Sequence, residues 1–95
     1  MLREIDNKIL TLLRYRDSKE VANNNKVRAL ICTVIEKAYF LQSIILLDKK
    51  FSEKQDDQFF ISEAAANRIF RDYGLDEVAD VYNELCQIAK PYLID

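Results

Sequence analysis

Glycine and proline occur once each in this 95-residue chain, and histidine and tryptophan not at all. Glycine and proline supply the turns and breaks that punctuate a fold, so a sequence almost without them has few places to end a strand or build a tight loop. Helices are expected to dominate. The missing histidine removes the commonest general base, the commonest zinc ligand and the one side chain that changes charge near neutral pH unaided. No glycine-rich phosphate loop, nucleophile elbow or cysteine–histidine pair is written in the sequence. These absences set three expectations: no enzymatic activity, no cofactor and no metal.

Cysteine is sparse as well. Cys32 and Cys86 lie far apart inside apolar stretches, which fits reduced core residues better than a disulfide frame or a metal site. Glu4 and Asp6 interrupt the apolar positions of the N-terminus, unlike a signal peptide. The uncharged run from Ala38 to Leu47 falls short of the roughly 20 apolar residues that a bilayer span needs. No membrane partner is expected, and the location is taken as cytoplasmic.

What is present is ordinary globular material, 49% apolar and 32% charged, enough for a single domain over residues 1–95. Net charge is only -2, yet residues 1–50 hold ten Lys/Arg against six Asp/Glu, and residues 51–95 hold four against ten. Two halves of an antiparallel bundle that attract each other would explain the split, and so would an acidic surface facing a partner.

Hydrophobic spacing predicts an all-α fold, a four-helix bundle with helices near 2–16 (extending to 22), 26–48, 57–73 and 76–90. The first helix carries Leu2, Ile5, Ile9 and Leu12 three and four apart, with Leu10 and Leu13 widening the stripe. An Asp17…Glu20 capping-box spacing allows a break before Ala22, and the run Asn23–Asn25 marks a clearer boundary. In the second helix Val27, Ile31, Val34, Ala38, Leu41 and Ile45 keep a heptad rhythm, and Leu30, Ile35, Ile44 and Leu47 broaden it. Such width needs cover on several sides, which points to a homodimer.

Residues 51–58 read as a charged loop. The third helix buries Phe60 or Ile61, Ala65, Ile69 and Tyr73, flanked by Phe59, Ala66 and Phe70. Gly74 stops it, with Leu75 placed to pack on Phe70 in a Schellman motif, and Asp76 is a ready N-cap for the next helix. The last helix buries Val78, Tyr82, Leu85 and Ala89, with Val81 and Ile88 beside them. Pro91 biases Lys90 away from helical angles. The apolar tail after Pro91 is expected to dock on the bundle.

The strongest surface signal is acidic. Asp72, Asp76, Glu77, Asp80 and Glu84 follow one another with no Lys or Arg between them, and Asn83 and Gln87 lie alongside. Positions 77, 80 and 84 share a helical face. A solvated face would look like this. So would a docking surface for a basic protein, where complementary charge speeds association, and these seven residues are taken as the candidate partner-binding set. One helix face seldom gathers enough oxygens for a divalent cation. Basic residues through the first half, among them Arg3, Lys8, Arg14, Arg16, Lys19, Lys26 and Arg28, are scattered and interrupted by acids, so nucleic-acid binding is not expected. Among the tyrosines, Tyr82 sits at a core position, while Tyr15 and Tyr39 have more freedom to meet a partner.

Two families share features with this chain. LREIDNKILTLLRYR resembles the opening helix of the small all-helical chorismate mutases, entwined dimers in which a basic residue of this helix binds substrate carboxylate; Arg16 falls at the matching spacing. The Asn23–Asn25 run breaks the long helix that family needs. The whole chain is similar in style to the compact helical immunity proteins with which bacteria neutralise toxins and bacteriocins: in size, in the apolar helix around TVIEKAYFLQSIILL, and in the acidic hairpin FRDYGLDEVADVYNEL. That likeness implies a binding module that occludes a basic toxin.

Overall fold

The computed structural model describes residues 2–52 and 63–94, with side-chain surroundings for 2–50 and 65–92. It is all-helical. Among the described residues five helices form: α1 (Leu2–Arg16), α2 (Lys19–Ala22), α3 (Asn25–Leu46), α4 (Glu63–Asp72) and α5 (Asp76–Ala89), followed by a 3₁₀ turn at Lys90–Tyr92. The one extended feature among the described residues is a two-residue parallel ladder between β1 (Phe51–Ser52) and β2 (Leu93–Ile94), which ties the apolar tail to the segment leaving α3.

Helix α1 is the hub. It packs most extensively on α3 along one flank and on α5 along the other, while α4 packs chiefly on α5. Asp6 near the start of α1 accepts a hydrogen bond from Gln42 near the end of α3. Lys8 and Arg14 meet Glu84 and Glu77 in that order. Helices α3 and α5 therefore both run antiparallel to α1 and parallel to each other, which is why the strands that follow them pair in parallel.

The breaks arise from local chemistry. At the end of α1 the Ser18 hydroxyl donates to the Tyr15 carbonyl at 2.6 Å, and Ser18 takes the extended angles of an N-cap for α2. The Asp17…Glu20 capping box is not formed: Asp17 binds Arg16 instead, at 3.1 Å, and that hydrogen bond holds its carboxyl below the ordinary 3.8. Asn24 caps α3 through its side-chain oxygen, which accepts from the Val27 amide at 3.2 Å.

Helices α3 and α4 end on the same motif. Gly74 (φ 73°) and Asp48 (φ 53°) both take the left-handed region. Leu75 N–H donates to the Phe70 carbonyl and Gly74 N–H to the Arg71 carbonyl; Lys49 donates to Ile44 and Asp48 to Ile45 in the same pattern. The Schellman motif expected at Gly74 is present. The second one, on a residue with a side chain, was not foreseen.

Two boundary expectations need correction. Asp76 is the first residue of α5 rather than its cap; Leu75 holds the cap position without a side-chain bond, because the tight turn from Gly74 leaves room for only one connecting residue. Lys90 remains helical (φ -51°, ψ -45°), and the chain meets Pro91 by tightening into the 3₁₀ turn. The expected third-helix start at 57–62, and most of the loop expected at 51–58, lie outside the described residues.

The core gathers Ile5, Ile9 and Leu12 from α1, Val21 from α2, seven residues of α3, Ala66 and Phe70 from α4, Leu75, and the inner face of α5. Each large side chain fully buried here is worth roughly 1.5–3 kcal/mol of transfer free energy. Among the described residues no polar or charged side chain is buried. Leu10 is exposed, since it lies roughly 130° around α1 from the Ile5–Ile9–Leu12 line at 100° per residue. On α4 the buried stripe is Ala66 and Phe70, while Ile69 and Tyr73 face outward. The sequence offers two stripes one residue apart, and the Phe70–Leu75 link together with an Asn67–Asn83 pair selects the one that faces α5. Cys86 is buried but Cys32 is partly exposed; both are free thiols.

Candidate functional site

The outer surface of α5 is a ridge whose two slopes lean on different helices. Asp76, Asp80 and Gln87 run along its crest at spacings of four and seven, Glu77 and Glu84 tilt toward α1, and Asn83 tilts toward α4. All but the partly buried Asn83 are exposed, as is Asp72 at the end of α4. The six predicted residues on α5 thus share its outer surface, whereas Asp72, on α4, takes no part in the hydrogen bonds and ion pairs that join α4 to that surface among the described residues.

The structure also supplies that surface with counterions. Lys8 pairs with Glu84, Arg14 with Glu77 at 3.2 Å, and Arg71 with Asp80 at 3.0 Å and Asp76 at 3.5 Å. Asn67 and Asn83 exchange two amide hydrogen bonds of 3.0 Å each across the α4–α5 contact. Lys8 lies along the protein with a side chain only 16% exposed, its stem covering apolar surface as long basic side chains do. The four paired carboxylates stay between 52 and 71% exposed. They are partly neutralised but not hidden.

Between α1 and α5 runs an open polar groove of about 340 Å³, walled by Asn7, Lys8 and Thr11 on one side and Glu77, Asp80 and Glu84 on the other, with Val81 at its floor. At its upper end Arg14 lies 5.8 Å from the centre of the Tyr15 ring. A hydrogen bond to Glu77, then partial burial, raises the Tyr15 phenol above its ordinary 10. A carboxylate that accepts from a phenol and a guanidinium at once fixes the groove's shape more than its charge.

Sequence reasoning found the acids, and read Arg68 and Arg71 as charge partners for the acids around them, which holds for Arg71; it missed Asn7, Lys8, Thr11 and Asn67 as their neighbours. The charge split between the chain's halves was the available signal, because it required basic residues of α1 to lie near acids of α5. Arg16, the residue singled out by the mutase resemblance, is bound to Asp17 and lines neither this groove nor the other two cavities described here. Among the described residues no group of three or more Cys, Asp or Glu side chains is placed to hold a metal ion.

Two other surfaces complete the picture. A narrow apolar pocket between α3 and α5, lined by Val34, Ala38, Leu41, Tyr82 and Cys86, encloses about 10 Å³, too little for an organic ligand. A second groove of about 340 Å³ lies where α1 meets the end of α3, along Leu2, Asp6, Tyr39, Gln42, Ser43 and Leu46. Helix α3 is, by length and hydropathy alone, apolar enough to cross a membrane, although seven of its residues are buried within the fold. No family model, curated protein or solved structure matches the chain.

Proposed function

We propose that the chain is a small cytoplasmic protein-binding module, its four longer helices bundled to present the α5 ridge to a basic partner protein. The observation that carries this reading is the ridge itself. Asp76, Glu77, Asp80 and Glu84 stand exposed together on α5, and Asp72 is exposed at the end of α4, with the bases Lys8, Arg14 and Arg71 paired among the α5 acids. An acidic surplus on an ordered surface speeds and orients encounter with a positively charged partner, and the apolar and aromatic side chains around it supply residence time. In the style of the bacterial immunity proteins, the partner would be a basic toxin and the mechanism occlusion of its active site.

Capture of partners from source cells with the tagged chain, followed by mass spectrometry, tests the first part. A basic protein should be recovered, and recovery of the chain alone, or of an acidic protein, sinks the reading. Asp72→Lys and Gln87→Lys test the second part without breaking an ion pair described above. Together they should slow association with the captured partner by roughly tenfold at low salt and flatten its salt dependence. An unchanged association rate removes the ridge from the interface.

A further inference from the structure

The face of α3 turned away from the core carries a pattern that reads the same in reverse. Along it stand Glu36, the pair Tyr39 and Phe40, Ser43, the pair Leu46 and Leu47, and just past the helix end Lys50, every one of them exposed. Leu46 and Leu47 are 72 and 61% exposed and Tyr39 50%, an apolar patch of the kind that soluble monomers rarely display without a partner. At 100° per residue the helical members lie within about 60° of Ser43 on either side. Ser43 is thus the middle of the stripe both along the helix and around it.

A face with this order is complementary to itself. If a second copy is laid antiparallel about a two-fold axis through Ser43, Tyr39 and Phe40 of each chain fall opposite Leu47 and Leu46 of the other, and Glu36 lies near the left-handed turn at Asp48 beyond which Lys50 of the other chain extends. The two Ser43 side chains meet at the crossing, where a small residue lets the helices approach closely. A two-fold interface requires this reciprocity, residue i on j and j on i. Charge complementarity favours the antiparallel arrangement, because a parallel one would set Glu36 against Glu36 and Lys50 against Lys50.

We propose that the chain forms a two-fold dimer through this face of α3, centred on Ser43 and closed at both ends by Glu36–Lys50 pairs. The interface lies on α3, away from the α5 ridge, and does not depend on the function proposed above. Leu2 and Leu46, which line the neighbouring groove, extend the apolar contact toward α1.

Sedimentation velocity over a concentration series supplies the test. The wild-type chain should sediment at twice its 11.2 kDa mass at micromolar concentration. Leu46→Glu with Leu47→Glu should leave a folded monomer with unchanged circular dichroism, since both side chains are exposed in the single chain. Glu36→Lys alone and Lys50→Glu alone should each weaken the dimer on the order of tenfold, and the two together should restore it. Ser43→Cys, in a Cys32→Ser background, should give a disulfide-linked dimer under mild oxidation, whereas Glu36→Cys in that background should not. A monomer at every concentration overturns the proposal, as does a dimer indifferent to the Leu46 and Leu47 changes, or a charge swap that fails to restore association. Flotation of a monomeric chain with anionic phospholipid vesicles, lost on the same leucine changes, would give the face to a membrane surface instead.

Discussion

The outer faces of α3 and α5 began as the same problem and reached opposite solutions. Both helices run antiparallel to α1 and bury one side against it or against each other. On α5 the buried and solvent sides are sharply divided: apolar at Val78, Ala79, Val81, Tyr82, Leu85, Cys86 and Ala89, acidic or amide at Asp76, Asp80, Asn83, Glu84 and Gln87. On α3 the buried side is complete, yet Tyr39, Phe40, Leu46 and Leu47 continue the apolar surface around to solvent. The polar ridge finds counterions from within the chain, in Lys8, Arg14 and Arg71. The greasy face lies outside the packed core. A small fold satisfies surface charge easily, with long basic side chains that reach across helices, but it cannot cover apolar area without adding another layer.

The comparison breaks most severely if the packing beneath the ridge is removed. Phe70 and Ala66 are the buried side chains by which α4 holds α5, so Phe70→Ala should cost about 3–5 kcal/mol in urea unfolding, against about 0.5 kcal/mol or less for Leu10→Ala on the exposed side of α1. Equal losses at the two sites would contradict the assignment of the α4 stripe.

One step down is the amide pair that orients α4 on α5. Asn83→Ala removes both amide hydrogen bonds that Asn67 exchanges across the α4–α5 contact, in a part-buried site, and should cost about 1–2 kcal/mol. Replacing both should cost less than the two single losses combined, a coupling that a double-mutant cycle reads directly.

The two Schellman turns sharpen the contrast between helix ends. A Cβ built on Gly74 meets nothing within 4 Å, so Gly74→Ala should lose about 1 kcal/mol from the left-handed backbone alone. Asp48→Gly should gain about 0.5–1 kcal/mol by relieving that same conformation. The smallest effect concerns the upper end of the groove. Because the folded-state pKa of Tyr15 is raised, its contribution to stability is complete below pH 10 and is lost as pH rises through the folded value. Phenolate absorbance, taken as the difference from Tyr15→Phe, should show Tyr15 titrating above 10, and Glu77→Gln should return it toward 10. A titration unaffected by that change would separate Tyr15 from Glu77.

Much of this was written locally. The Asn24 cap, the Gly74 stop with Leu75 behind it, and the buried set of α5 follow from spacing and capping chemistry that involve neighbours within one or two turns. Leu10, Ile69 and Tyr73 were misplaced because an apolar residue at the edge of a stripe can fall on either side of it, and only the neighbouring helix decides. The ridge was legible as a run of acids with Arg71 nearby as a charge partner, but its partners on α1 were not, since Lys8 and Glu84 are 76 positions apart.

Composition and periodicity by themselves determined a helical chain with one core, a broad apolar helix after the Asn23–Asn25 break and an acidic last one. Such properties depend on the backbone's 3.6-residue repeat and on the scarcity of breakers, both of which act over short distances. Tertiary structure alone decided that α1 stands between α3 and α5, which bases of α1 meet the acids of α5, and that the palindromic face of α3 lies exposed. Each of these depends on where distant segments come to rest, and that is settled by burying the most apolar surface for the whole chain at once.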